Sequence, residues 1–504
     1  MTARNPRAAF SFVGKLAATA LLAALADYLF YRADGIGATI GVFAIGWSVT
    51  MLVALPQVRR RRAALVAMGA ALFFGALLVD NPGVLGWALF WAAISSAALL
   101  RRRRFDDALR LAERLVLQLG AGLIQPLADI RRLWRSRPTG GNFSIKGSLS
   151  VVALPAIGGM LFFTLFTIAN PVIANQFTQV DLHDPSSAVL HAMFWCLVAI
   201  AVWPSLRPHP FATGTALREA TLEGLVPKVP AVSIALSLLT FNAVFALQNI
   251  LDIAFLWSGA LLPGKLTLAD YAHRGAGMLM VTALLAGLFV VVVLRPGSET
   301  ARRPAIRWLV ALWIAQTILL VASSILRTLD YIASYSLTEL RIWALGCMAL
   351  VGVGLALVCW RLLRGKSAAW VINANALAAV LLLAGLATID PGEVSAWWNV
   401  RHARQVGGKG VEIDLCYLDR LGAAAVLPLI ELEGKVQRQP LLLDRVRAVR
   451  SKAMTNLVYA QSDRFGWTWR NARRLAVAQA LLGPNPPKPM DPDFGCECDG
   501  SGCE

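Results

Sequence analysis

The chain has 504 residues, of which 57% are hydrophobic and only 15% charged, and its mean hydropathy is +0.59. Soluble domains carry about 25% charged residues, so a large soluble core is excluded and a polytopic membrane protein is indicated. The net charge of +18 could serve nucleic acid in a soluble protein, but here the Lys and Arg residues lie in short loops between apolar runs, which argues against that partner.

A helix that spans a bilayer needs roughly 20 apolar residues. The sequence predicts eleven such runs, at 9–31, 37–56, 63–80, 82–100, 148–169, 187–204, 229–256, 275–294, 305–326, 338–362 and 368–388. The first lies in MTARNPRAAFSFVGKLAATALLAALADYLF, whose basic head and small residues resemble a cleavable signal. Its apolar run continues through Tyr28–Tyr31 and reads as an uncleaved span. Asp80–Gly83, DNPG, predicts a tight turn between the third and fourth runs.

Orientation follows from Lys and Arg in the short loops. With the N-terminus in the cytoplasm, 28 of them fall inside and about five outside, namely Arg32, Lys265, Arg274, Arg327 and Arg341. An odd number of spans then sends residues 389–504 outside. The expected class is all-α: a polytopic transmembrane helix bundle with a small helical C-terminal extramembrane domain. Its expected divisions are a four-span unit (1–100), a basic connector (101–147), a seven-span core (148–388), a helical domain (389–483) and a disordered tail (484–504).

The connector begins RRRRFDDALRLAERLVLQLGAGL. Phe105, Leu109, Ala112, Val116 and Leu119 recur at helical spacing beside Arg101–Arg104, Arg110 and Arg114. This predicts an amphipathic helix lying on the cytoplasmic leaflet, with the Arg101–Arg104 segment against anionic membrane lipids. The bland alternative is an ordinary solvated connecting helix. No protein partner can be read from the chain.

Catalytic signatures are missing. There is no G-x-x-x-x-G-K-[ST] phosphate loop, no H-E-x-x-H and no G-x-S-x-G. Neither a cofactor nor a metal is predicted. Polar residues within apolar runs say more, because hydrocarbon demands a partner or a water-filled cavity for them. In LTFNAVFALQNILDIAFLW, Asn242, Asn249 and Asp252 share one helix face, and Gln248 lies four residues before Asp252. Interhelical hydrogen bonding is the structural reading of the asparagines. Asp252 must be paired, hydrated or protonated.

Two further clusters fall at the outer level. LTLADYAHRGAGML places Asp270, Tyr271, His273 and Arg274 at the start of the eighth run, where Asp270 suits a helix N-terminus. LRTLDYIASYSLTELRIW carries Arg327, Asp330, Tyr331, Tyr335, Thr338, Glu339 and Arg341 between the ninth and tenth. Arg341 lies a turn inside its run and needs an acid or an anionic ligand, with Asp252, Asp270, Asp330 and Glu339 as candidate partners. Two readings stand side by side. One is an outward-facing pocket in which Arg274 and Arg341 hold an anionic group such as a lipid headgroup or phosphate. The other is a salt-bridged network that locks the seventh to tenth spans. The candidate ligand-binding set is Asn249, Asp252, Asp270, Tyr271, Arg274, Asp330, Tyr331, Tyr335, Thr338 and Arg341.

YAHRGAGMLMVTALLAG, LDYIASYSLTELRIWAL, NVRHA, IDLCYLDRLGAAAVLPLI and FGWTWRNARR, in that order, together with FTIANPV, resemble the bacterial membrane family named domain of unknown function 4173, close to its sibling 4153. The resemblance runs from about Gly147 to about Arg474. It implies a bacterial inner-membrane protein and adds no mechanism. Members of the family often read YGLT where this chain has YSLT, a departure at Ser336.

After the last span, DPGEVSAWWNVRHARQ places Trp397 and Trp398 as interfacial anchors. DLCYLDRLGAAAVLPLIEL and LLLDRVRAVRSKAMTNLVYAQ both show helical periodicity. The end, PNPPKPMDPDFGCECDGSGCE, has the composition of a disordered tail; its Cys496, Cys498 and Cys503 lack the spacing of a zinc site. Cys196, Cys347 and Cys359 fall in apolar runs and are expected as small buried hydrophobes. Two functional classes follow. The first is a non-catalytic transporter-like or sensory bundle with an anion- or lipid-binding outer pocket. The second is a membrane enzyme of the lipid-linked glycosyltransferase type, which is disfavoured because the first outer loop, YRADGIG, is short.

Overall fold

A computed structural model describes residues 6–31, 37–101, 104–135, 185–208, 230–258 and 303–490, with the single positions 282 and 285. Every regular element among these residues is helical. The chain divides into two compact units, residues 1–106 with 110–218 and residues 107–109 with 219–504.

The first unit contains α1 (Pro6–Phe30), α2 (Thr39–Ala54), α3 (Pro56–Arg60), α4 (Arg62–Asp80), α5 (Val84–Leu100), α6 (Ala108–Arg135) and α7 (Pro185–Leu206). Pro56 cannot continue α2 and instead opens α3, where its missing N–H is no loss. The DNPG turn separates α4 from α5 as expected. Glycine sets the closest approach: a Cβ at Gly41 would lie 2.3 Å from the Val79 backbone nitrogen, so α2 and α4 touch backbone to backbone. Phe43, Trp47, Trp87 and Phe90 form the aromatic core beside them. The Trp47 indole donates to Ser205 Oγ at 2.9 Å, tying α2 to α7. Asp27 on α1 accepts from His191 and from the Trp195 indole (3.1 Å), and Tyr31 stacks on His191 at 3.5 Å.

Helix α6 exposes apolar positions as well as the charged Arg110 and Glu113. Leu109, Val116 and Leu119 are exposed, as is Phe105 just before it, while Gln118, Gln125 and Asp129 are buried. Asp129 meets the Trp203 indole at 3.1 Å and Arg207 Nε at 3.2 Å. Arg101 is also buried, and its Nη2 donates to the Leu206 carbonyl at 2.9 Å; Arg104 is exposed. Arg102 and Arg103 lie outside the described residues.

The second unit begins with α8 (Ala231–Asp252), which runs into one π-helical turn (Ile253–Trp257). It continues with α9 (Pro304–Tyr335), α10 (Glu339–Arg364) and α11 (Ala368–Thr388), joined by turns of three residues. Ile234, Leu238, Val310, Trp313, Ile314, Val321, Met348 and Leu355 fill the space between them. The remaining helices are α12 (Pro391–His402), α13 (Leu415–Leu421), α14 (Val426–Lys435), α15 (Pro440–Ser462) and α16 (Trp469–Leu482). Asp390 caps α12, Asp414 caps α13 and Thr468 caps α16, each accepting from backbone N–H groups. Their cores are Val400, Leu418, Leu429, Leu432 and Val446, and next to these Val426, Leu457 and Ala478.

Five described helices are long and apolar enough to cross a membrane: Arg62–Asp80, Ala231–Trp257, Pro304–Tyr335, Glu339–Arg361 and Ala369–Thr388. Thr39–Ala54, Val84–Leu100 and Leu190–Leu206 are apolar but shorter. The chain is therefore all-helical where described and has the composition of a membrane protein. Wherever the described residues cover a predicted span there is a helix. The predicted run 148–169 lies outside them, as does 275–294 apart from positions 282 and 285. Burial of the cysteines needs correction: Cys196 and Cys347 are exposed and Cys359 is partly so. A helix that faces lipid has an apolar outer surface, so an apolar run does not tell inward from outward positions.

Candidate functional site

A polar seam crosses the apolar contact between α8 and α9. Asn242 Nδ2 donates to the Leu238 carbonyl on its own helix (2.8 Å) and to the Leu309 carbonyl across the gap (3.1 Å). Gln316 Nε2 donates to Asn242 Oδ1 at 3.3 Å, and Asn249 Nδ2 donates to the Gln316 carbonyl at 3.2 Å. One turn further, Asp252 accepts from Gln248 Nε2 at 2.9 Å and forms an ion pair with Arg327 of α9. The side chains of this pair are 0% and 3% exposed. Past it, the Trp257 indole in the π turn donates to Ser323 Oγ at 3.1 Å. The shared face inferred from the spacing of Asn242, Asn249 and Asp252 is the face buried on α9. Taking two charges out of water is expensive, and a pair of this kind persists only with close geometry and added hydrogen bonds. π-helical turns concentrate at functional positions.

The seam continues along one face of α9 at intervals of four residues, from Arg327 through Tyr331 to Tyr335. The Arg341 guanidinium of α10 lies 4.4 Å from the centre of the Tyr331 ring, and Tyr331 and Tyr335 pack at 4.7 Å. Arg341 Nη1 donates to the Tyr335 carbonyl at 2.7 Å and to the Ser336 carbonyl. It thereby closes the end of α9, whose last carbonyls have no helical partner. Its Nη2 and Nε make no hydrogen bond among the described residues. Thr338 is the residue before α10, and its carbonyl accepts from Arg341 and Ile342 N–H. Asp330 is exposed and stands off this face. Ser336 has φ +69° and ψ 169°, a backbone conformation that non-glycine residues rarely adopt.

Helix α12 is fixed to this end. Asn399 Oδ1 accepts from the Leu337 N–H at 2.8 Å, and its Nδ2 donates to the Leu337 carbonyl at 2.9 Å. Tyr417 OH accepts from the Glu339 N–H at 3.0 Å and meets Ser395 Oγ at 2.9 Å. On the other flank Arg474 Nη2 holds Asp390 and Glu393, each at 2.5 Å. Burial pushes the Asp390 carboxyl up, but the hydrogen bond and charge of Arg474, the Glu393 N–H and the charge of Arg470 outweigh it and hold it below its ordinary value. Burial likewise lowers Arg474, and its two carboxylate partners more than offset that, raising it. A cavity of about 130 Å³ opens between the end of α9, α12 and the 403–412 loop, lined by Ile332, Ser336, Trp398, His402 and Lys409 among others.

The structure thus brings Asn249 and Asp252 onto one seam, and Tyr331, Tyr335 and Arg341 into one cluster next to it. Thr338 borders that cluster. Asp270, Tyr271 and Arg274 lie outside the described residues. Sequence reasoning placed Arg327 in an outer loop and did not match it with Asp252. The signal was available: α9 is 32 residues long, so its helical register continues through Arg327. Asn399 opens the motif NVRHA, which carried the family resemblance but no role, and the 404–412 loop carried no motif.

A family model described as Domain of unknown function (DUF4153) matches residues 20–432. No curated protein and no solved structure matches. The match spans most of the chain, and the chain belongs to that family.

Proposed function

We propose that this member of the DUF4153 family is a non-catalytic bacterial inner-membrane protein, transporter-like or sensory, that takes a small anionic or lipid ligand at the outward end of α8–α10. In this reading the chain crosses the membrane about eleven times, with its N-terminus cytoplasmic and residues 389–504 periplasmic. The family closeness to domain of unknown function 4173 is part of the same reading and is carried by the ordered motifs. Helix α6 lies in the cytoplasmic leaflet, with Leu109, Val116 and Leu119 toward the acyl chains and Arg104 toward anionic headgroups.

One observation carries the ligand. Arg341 is held by Tyr331 and two carbonyls through Nη1 alone, which leaves Nη2 and Nε pointed at no protein acceptor among the described residues. A guanidinium with two parallel donors left over suits a carboxylate or phosphate. The adjoining Asp252–Arg327 pair supports the same reading, because ionisable side chains inside spans mark functional sites by default.

The test uses purified protein in detergent, with melting temperature recorded against phosphatidylglycerol and small phosphorylated anions. The ligand raises the melting temperature of the wild type, and Arg341→Ala folds but loses the rise. Asp252→Leu alone lowers stability by up to about 3–5 kcal/mol, because it removes the carboxylate that faces the buried Arg327 guanidinium. The double variant Asp252→Leu/Arg327→Met recovers stability and tells whether the pair is only a lock: a lock leaves the ligand response intact. Unchanged responses in both Arg341→Ala and the double variant remove the proposal.

A further inference from the structure

Two residues separate the end of α11 from the start of α12, so α12 begins where that apolar helix leaves the bilayer. The α9–α10 turn lies at the same end, since α9, α10 and α11 follow one another through three-residue turns. Asn399 clamps α12 to that turn. The helix buries Ser395, Ala396, Asn399 and Val400 and turns Val394, Trp398 and Arg401 outward, with Trp397 half-buried on the same side. A soluble helix keeps indoles in and charges out; this one leaves the Trp398 indole exposed and Trp397 half-exposed, at the depth where tryptophan concentrates in membranes.

The 407–410 loop is built around one cation. Gly407 has φ +82°, a conformation that favours glycine. Gly408 and Gly410 donate to the Ala403 and His402 carbonyls at 3.0 and 2.8 Å. A Cβ on either would lie 2.2 or 2.6 Å from the His402 carbonyl oxygen. Three glycines thus let the chain fold tightly against His402, and the one residue between them with a side chain is Lys409. Among the described residues Lys409 makes no ion pair. His402 stacks on Trp398 at 3.9 Å, and Arg401 sits 4.6 Å over Trp397. Arg401 also reaches Glu431 at 3.4 Å, an acid that Lys435 holds more closely at 2.7 Å; Glu412 is the acid in the cavity wall.

Two hollows meet here. The cavity of about 130 Å³ contains Lys409, His402 and the strained Ser336. A shallower one of about 350 Å³ runs over Val394, Trp397, Trp398, Arg401 and His402. The first has the polar side chains of Lys409, His402 and Glu412 in its wall; the second is apolar-walled and opens along the outward face of α12.

We propose that this groove binds the phosphodiester headgroup of a membrane phospholipid, with Lys409 and His402 on the phosphate, Arg401 at the rim and the glycerol against Trp397 and Trp398. The inference rests on the membrane reading above and not on a ligand at Arg341. Full-length protein in detergent is titrated with phosphatidylglycerol, diacylglycerol or inorganic phosphate, and bound copies are counted by native mass spectrometry. Phosphatidylglycerol binds, diacylglycerol does not, and millimolar phosphate does not displace the lipid. Lys409→Ala, an exposed change that leaves the fold intact, weakens lipid binding about fivefold, the worth of one cation near a lipid surface; Lys409→Ala/His402→Ala weakens it further. Wild-type lipid binding in both folded variants overturns the inference, as does displacement by phosphate or equal binding of diacylglycerol. Arg341→Ala separates the two sites: if it loses the lipid while Lys409→Ala keeps it, the groove falls and the Arg341 reading stands, and the reverse result establishes the groove alone.

Discussion

Ser336→Gly should make the protein more stable. Ser336 occupies φ +69° and ψ 169°, a region open almost only to glycine. Holding a residue with a side chain there costs about 1–3 kcal/mol, while glycine loses roughly 0.5–1 kcal/mol through the greater freedom of its unfolded chain. The net gain is then about 0–2.5 kcal/mol, centred near 1 kcal/mol, taking the difference of those two ranges. At roughly 2 °C per kcal/mol, the low end for larger domains, the melting temperature rises by about 2 °C and by at most about 5 °C. The backbone carbonyl that accepts Arg341 survives the substitution, so the closure of α9 is kept. Intrinsic fluorescence of the detergent-purified protein on heating gives the measurement, and Ser336→Ala is the control. It retains the backbone conformation and loses only the hydroxyl, so it should melt with the wild type. If Ser336→Gly melts at or below the wild type while Ser336→Ala matches it, the turn is not strained and the reasoning fails.

The Arg474 hub makes stability depend on pH in a fixed direction. Asp390 is held below its ordinary value, so its contribution is full above that value and is lost as the pH falls through the carboxylate range. The melting difference between wild type and Arg474→Gln should therefore shrink from pH 7 toward pH 3, and a constant difference counts against the hub. Gly41→Ala should disrupt the α2–α4 contact, because the added carbon meets backbone, whereas Gly69→Ala, with open space around it, should gain about 0.8–1 kcal/mol of helix propensity; equal melting of the two variants refutes the close-approach argument. Asn399→Leu removes two hydrogen bonds to buried Leu337 backbone and should cost about 2–3 kcal/mol in thermal unfolding; a loss under about 0.5 kcal/mol says the clamp is not formed.

The helices were legible because apolar runs and their breaks are strong local signals. Pro56, the DNPG turn and the capping residues Asp390 and Asp414 mark ends by their own chemistry. The seam was half legible. Spacing alone put Asn242, Asn249 and Asp252 on one face, but which cation faced Asp252 depended on how α8 and α9 dock, a non-local fact. Arg327 looked like a loop residue only because the hydropathy faded before the helix did. Arg341 read as a charge in need of an acid or an anionic ligand; among the described residues no acid pairs with it, and it meets a π face and the carbonyls that end α9, partners that any sequence contains and none advertises. The exposure of Cys196 and Cys347 was illegible for a physical reason: in lipid the outside of a bundle is as apolar as its inside. At Ser336 the sequence offered only a departure from YGLT, and its positive φ was not read from it.

The Leu337–Asn399 clamp has a mechanical consequence. Two opposed hydrogen bonds between one amide side chain and one peptide resist sliding in both directions, so there is no slack between α12 and the α9–α10 hairpin. The register of α12 is thereby set against the hairpin, and Arg327, the guanidinium of the buried pair, lies eight residues before the end of the same α9 helix. The C-terminal helices are thus keyed to the bundle by hydrogen bonds and not joined to it by chain connectivity alone.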